Sequence, residues 1–120
     1  MDLGIKEPTL YRFPGGSNTG YLKDNVFAEV KLALKENKFT YVDWNVDSGD
    51  AKRSNVSAEE IKNNIINQSK TKNTISILMH DANSKETTIN ALPAVISGLK
   101  ELGFQFLVIP DGVSGPEFRT

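Results

Sequence analysis

The 120-residue chain has no cysteine, which excludes disulfides and thiolate metal sites and leaves the redox compartment undetermined. It also lacks an excess of either charge. With 14 Lys and Arg against 15 Asp and Glu, nothing in the balance attracts nucleic acid or an anionic membrane surface, and neither is expected as a partner. No apolar run approaches the ~20 residues that span a bilayer. The start Met1-Asp2-Leu3-Gly4 has no basic or hydrophobic leader region, so no signal peptide is expected in this chain. The length falls short of the roughly 250 residues of a complete (β/α)8 barrel, which points to part of such a fold or to one small α/β domain. Internal repeats and low-complexity segments are absent.

What is present alternates between strand-like and helix-like patterns. A short run Thr9-Leu10-Tyr11 leads into Arg12, Phe13 and the turn Pro14-Gly15-Gly16. Gly15 and Gly20 have the spacing of a phosphate loop, but Tyr21 and Leu22 stand where that loop needs Lys and Ser or Thr. Residues 24–37 carry Val26, Phe27, Val30, Ala33 and Leu34 at helical spacing. Phe39 to Val46 reads as one strand rich in aromatic and β-branched residues, in which Asp43 and Trp44 are ordinary members. After the polar loop from Asp47 to Asn55, Ser57-Ala58-Glu59-Glu60 has capping-box spacing and opens a helix with Ile61, Ile65 and Ile66 inward.

The most informative stretch is Ile75-Ser76-Ile77-Leu78-Met79-His80-Asp81, an apolar run that ends in the only histidine of the chain. Residues 86–102 form a third helical pattern with Leu92, Val95, Ile96 and Leu99 on one face. Pro93 belongs in a first turn, which places the regular start near Ala91. Gly103 suits the residue after a helix end, Phe104 to Ile109 reads as a last strand, and residues 110–120 read as a loose tail. About four strands alternating with three helices predict an α/β fold with a parallel sheet. Such sheets gather working residues at the carboxyl ends of strands, so Arg12, Asp47 and His80 are expected on one rim.

Arg12-Phe13-Pro14-Gly15-Gly16, Asp47-Ser48-Gly49-Asp50, Leu78-Met79-His80 and the run Thr88, Ala91-Leu92-Pro93, Leu99-Lys100, Gly103-Phe104 resemble the last three motifs of the polysaccharide deacetylases. This is the NodB-type family of carbohydrate esterases, which includes peptidoglycan N-acetylglucosamine and chitin deacetylases. The resemblance runs from about Thr9 to Ile109 with order and spacing kept. It implies parallel βα repeats forming part of a distorted (β/α) barrel, a half-barrel, with residues 1–120 as the C-terminal portion of the domain. It also implies hydrolysis of N-acetyl groups on acetylated glycans, in which zinc or another divalent metal activates a water. The family's upstream Phe-Asp-Asp and His-x-x-x-His segments are not in this sequence, so the chain alone is expected to bind no such ion tightly and to be inactive by itself.

Residue by residue, the resemblance makes His80 the general acid, which an imidazole with an ordinary pKa of about 6.5 can serve near neutral pH. Asp47 is its orienting carboxylate, Arg12 holds the catalytic base, the Gly15 amide faces the oxyanion, and Leu78 lines an acetyl-methyl pocket. Where the family often has tryptophan closing its Asp-x-x-Asp-Trp motif, Ala51 stands here, which leaves the glycan open, with peptidoglycan preferred. Family resemblance places the action outside the cell or in its envelope.

Plainer readings stand beside these. His80 alone reads as a structural histidine, Arg12 and Asp47 as a strand-end ion pair, Gly15 as a turn residue and Asp50 as a shaper of its loop. A non-catalytic glycan-binding or interaction module is the competing function. An unpaired sheet edge is met by a homodimer, by a separate N-terminal half, or by curling into a compact open sheet; self-association is the preferred expectation.

Overall fold

The computed structural model describes residues 10–82, 85–109 and 115–119. The chain divides into two compact units, residues 1–43 with 108–120 and residues 44–107, each with its own core.

In the first unit, β1 (Leu10–Tyr11) pairs in parallel with β2 (Thr40–Tyr41). The intervening helix α1 (Asp24–Glu36) buries Phe27, with Val30 and Leu34 packed partly against the same cluster. Phe13, Phe27 and Tyr41 form the core, and Phe13 meets Tyr41 edge-on with centroids 5.3 Å apart. Helix α1 ends because Lys38 turns left-handed at φ 62°, so that its amide reaches Lys35 O and that of Phe39 reaches Leu34 O. A lysine occupies a position that usually favours glycine.

In the second unit, β3 (Val46–Asp47) pairs in parallel with β4 (Ile77–Leu78), with Asp47 opposite Leu78. Helix α2 (Ala58–Ser69) starts as its capping residues dictate, Ser57 Oγ accepting from Glu60 N at 3.1 Å. The Glu60 carboxylate does not return to Ser57; it pairs with Arg53, which holds its pKa below the usual carboxylate range. Ile61 and Ile65 face Val46, Val56 and the buried residues Ala91, Val95 and Leu99 of α3 (Glu86–Glu101).

Three sequence expectations change. The expected single strand from Phe39 to Val46 is two short strands with different partners, because the residues between them bond elsewhere: Asp43 N donates to Pro116 O, and Asn45 N donates to Ser76 O. Helix α3 begins at Glu86 and carries Pro93 in its interior. The lost amide costs about 3 kcal/mol in such a position, and burial of Thr88, Ala91, Val95 and Leu99 offsets it. That face is rotated from the expected one, leaving Leu92 and Ile96 exposed. Phe104 to Ile109 follows the left-handed Gly103 as expected, but no ladder forms there among the described residues, and Leu107 and Val108 stay 83 % and 90 % exposed. β-Propensity favours a strand without supplying the partner that a ladder needs.

Candidate functional site

The site in the second unit is built by a loop that drops away from the end of β3. Asp47 N donates to Gln68 Oε1 (3.0 Å), and Gln68 Nε2 donates back to Asp47 O (2.7 Å), so a helix α2 side chain grips the strand end through two backbone contacts. Asn64 Nδ2 donates to Ser48 O (3.0 Å), and Ser48 N donates to Leu78 O (3.1 Å). Gly49 then turns left-handed at φ 74°, and a Cβ there would lie 2.7 Å from Asn64 Nδ2. This reversal carries Asp50 into the interior, 2 % exposed.

Asp50 meets His80 and helix α3. Its Oδ1 lies 2.7 Å from His80 Nδ1, while Oδ2 accepts from His80 N (2.7 Å) and from Thr88 Oγ1 (2.8 Å). Lys85 Nζ donates to the Asp50 carbonyl (2.9 Å). Burial opposes charge on this carboxyl, but hydrogen bonds from the His80 amide, the His80 ring and Thr88 outweigh it and hold the pKa of Asp50 below its ordinary value of 3.8. An ionised acceptor at Nδ1 makes that nitrogen the proton carrier. The His80 side chain, 43 % exposed, then has Nε2 left for solvent or substrate.

The carboxylate on His80 is therefore Asp50, where the sequence reading put Asp47. Asp47 is the last ladder residue of β3, is exposed, and turns its Oδ1 to the Gly49 amide at 2.9 Å. The acid that reaches the ring lies three positions further on, past the Gly49 reversal. The signal available in the sequence is a glycine directly before an acid, Gly49-Asp50. Leu78 sits half-buried in β4 beside this loop.

In the first unit, Arg12 follows β1 and donates through Nε to Val42 O (3.2 Å) and through a terminal nitrogen to Asp43 O (3.4 Å). Gly15 and Gly16 are left-handed at φ 78° and 90° in a turn closed by Gly16 N to Phe13 O (2.8 Å). The next residue, Ser17, is fully buried and donates to Asp43 from its amide (2.9 Å) and hydroxyl (2.5 Å). Asp43 is 0 % exposed and also accepts from Phe118 N at 2.8 Å. Far from being an ordinary strand residue, it ties the glycine turn to the chain's last residues.

The tail, expected loose, is held over residues 115–119. Arg119 pairs with Asp24, donates to Leu22 O (3.1 Å) and lies 4.3 Å over the Phe27 ring, while its carbonyl accepts from Tyr41 Oη. Burial, with Glu117 and Asp43 nearby, raises the pKa of Tyr41 against the opposing pull of Arg119. Residues 110–114 and 120 of the expected tail lie outside the described residues. Arg12 belongs to the first unit, and Asp47 and His80 belong to the second.

Among the described residues, no three His, Cys, Asp or Glu side chains are grouped to hold a metal ion, so the donor set does not fit the divalent metal that the family resemblance implies. Among those residues, no helix is long and apolar enough to cross a membrane.

No family model matches the chain. It is 30 % identical over 108 residues to a peptidoglycan-N-acetylglucosamine deacetylase of Bacillus cereus, covering 89 % of this chain and 46 % of that protein. Its fold matches the catalytic domain of peptidoglycan N-acetylglucosamine deacetylase from Eubacterium rectale at a TM-score of 0.83 and 29 % identity, over 95 % of this chain and 52 % of that one. A polysaccharide deacetylase of Bacillus cereus matches at a TM-score of 0.75 and 31 % identity, over 93 % and 52 %. The chain thus spans about half the length of these relatives. The resemblance to deacetylases with a (β/α) barrel fold holds in both sequence and structure.

Proposed function

We infer that this chain, similar to about half of a polysaccharide deacetylase catalytic domain, supplies the proton-donating side of glycan N-deacetylation. The supporting observation is the 2.7 Å contact of a buried carboxylate with Nδ1 of a half-exposed imidazole. In the reaction, water adds to the acetamide carbonyl and the C–N bond of the tetrahedral intermediate breaks. The departing sugar amine needs a proton, which His80 delivers from Nε2 as an imidazolium. Asp50 offsets the positive charge of that imidazolium and fixes the ring.

Arg12, Gly15 and Leu78 enter from the resemblance: Arg12 orients the base, the Gly15 amide donates to the oxyanion, and Leu78 receives the acetyl methyl. Asp47 supports the loop and is not the partner of the ring. Metal-dependent activation of the water belongs to the complete family domain, since the described residues of this chain do not fit the ion. The proposed substrate is an N-acetylglucosamine-containing glycan such as peptidoglycan, which places the action at the cell envelope.

The test is a chimera in which this chain replaces the matching segment of the Bacillus cereus relative, assayed for acetate release from N-acetylated glycan. Loss of a positioned general acid costs about 10²–10⁴-fold in turnover, so His80→Gln and Asp50→Asn are expected in that range and Asp47→Asn far above it in residual activity. An active chimera indifferent to His80→Gln would leave only a glycan-binding role.

A further inference from the structure

We propose that Thr88 is a positioning residue for the Asp50 and His80 pair, its buried hydroxyl fixing which carboxylate oxygen faces the ring and so keeping the ring proton on Nδ1. Asp50 has two oxygens, and they are used differently. Oδ2 accepts from the His80 amide at 2.7 Å and from Thr88 Oγ1 at 2.8 Å, which leaves Oδ1 to the ring at 2.7 Å. Without the hydroxyl, the carboxylate keeps one backbone donor and gains freedom about its Cβ–Cγ bond. The planar alignment that presents Oδ1 to Nδ1 then loosens.

Thr88 is suited to this and to little else. It lies in the first turn of α3 and is 5 % exposed. A helical threonine commonly spends its hydroxyl on the carbonyl one turn earlier, whereas this one reaches an acid 38 positions away in sequence. The same turn holds Asp50 a second time, through Lys85 Nζ on its carbonyl at 2.9 Å. The start of α3 therefore grips both the backbone and the side chain of the acid, and the hydroxyl is the contact that distinguishes its two oxygens.

The proposal rests on reading His80 as the proton donor, but its test reads the ring and not turnover, so a failure of the deacetylase reading leaves the result standing. His80 is the only histidine, so the imidazole nitrogens of the 120-residue chain are assigned without ambiguity in a long-range ¹H–¹⁵N correlation spectrum. In the wild type the neutral ring is expected as the Nδ1–H tautomer. Thr88→Ser, which keeps the donor, retains it. Thr88→Val, which keeps the shape, lowers the ratio of Nδ1–H to Nε2–H by about tenfold, the equivalent of one hydrogen bond. An unchanged ratio in the valine variant overturns the proposal, as does a serine variant that behaves like valine. Should the valine variant fail to fold, the wild type decides. A slowly exchanging Thr88 hydroxyl proton with a nuclear Overhauser contact to the His80 amide proton supports the assignment, and its absence overturns it.

Discussion

Replacing Asp50 by asparagine preserves shape while removing the one property on which the site depends. The carboxylate accepts three hydrogen bonds, from the His80 amide, the His80 ring and Thr88. An asparagine carbonyl takes over the two that converge on Oδ2. Its amide group then stands at Oδ1 and presents donors to Nδ1, so the ring must become an acceptor there and carry its proton on Nε2. Two bonds to a charged acceptor become ordinary ones and the third reverses, which costs about 1.5–3 kcal/mol of stability at neutral pH.

The pH dependence gives a second signature. Burial pushes the pKa of Asp50 up, but the bonds from the His80 amide, the His80 ring and Thr88 prevail, and the folded-state value is lowered. The stabilisation is therefore complete above the ordinary value of 3.8 and is lost as pH falls below that towards the folded value. The side chain introduced by Asp50→Asn cannot titrate, so the stability gap between the two proteins narrows over that acid range. Urea unfolding at neutral pH and at a series of acid values measures the gap directly. Equal stability at neutral pH, or a gap that stays constant through the acid limb, refutes the assignment of Asp50 as the buried ionised partner of His80.

Further outcomes follow from individual positions. Lys38→Gly removes a side chain from the left-handed residue that ends α1 and is expected to raise stability by about 1 kcal/mol, read as a higher urea midpoint with unchanged slope; a loss of stability would mean that the lysine stem packs usefully. Gly49→Ala places a Cβ 2.7 Å from Asn64 Nδ2 at φ 74° and is expected to cost about 2 kcal/mol, with the largest amide shifts at Asp50 and His80 in an NMR spectrum; shifts confined to Gly49 and its neighbours would show a loop that yields. Asp43→Ala strips an acceptor from Ser17 N, Ser17 Oγ and Phe118 N at once, for about 3 kcal/mol, and is expected to speed proteolysis within residues 115–119. Unchanged cleavage there would assign the hold on the tail to Arg119 instead.

The parts of the fold that were legible in the sequence are those decided within one turn of chain. The Ser57 cap reaches Glu60, three residues away, and the helix end at Gly103 is closed by bonds to Lys100 and Leu99. Periodicity found the three helices α1 to α3 for the same reason, and Arg12 directly follows β1 while His80 lies just beyond β4, at the ends of the runs that carry them. Pro93 misled because a local rule prices its missing amide without knowing what the opposite helix face buries. The strand from Phe104 to Ile109 misled because a ladder needs a second strand, which no local pattern can supply.

The two buried acids were misread for a related reason. By local pattern Asp43 is an ordinary strand residue and Asp50 a shaper of its loop, yet both are buried. What makes an acid functional is the set of donors around it, and those come from far along the chain. Asp43 is satisfied by residues 26 and 75 positions away, and Asp50 by residues 30 and 38 positions away. A carboxylate excluded from water without such donors costs several kcal/mol. Each buried acid therefore demands partners in the sequence even when it does not name them. For Asp50 the demand meets the hydroxyl of Thr88 and the ring of His80, from separate segments of the chain. Removing Asp50 should therefore disturb the α3 start and the His80 loop together, whereas removing Asp47 should disturb only its own turn.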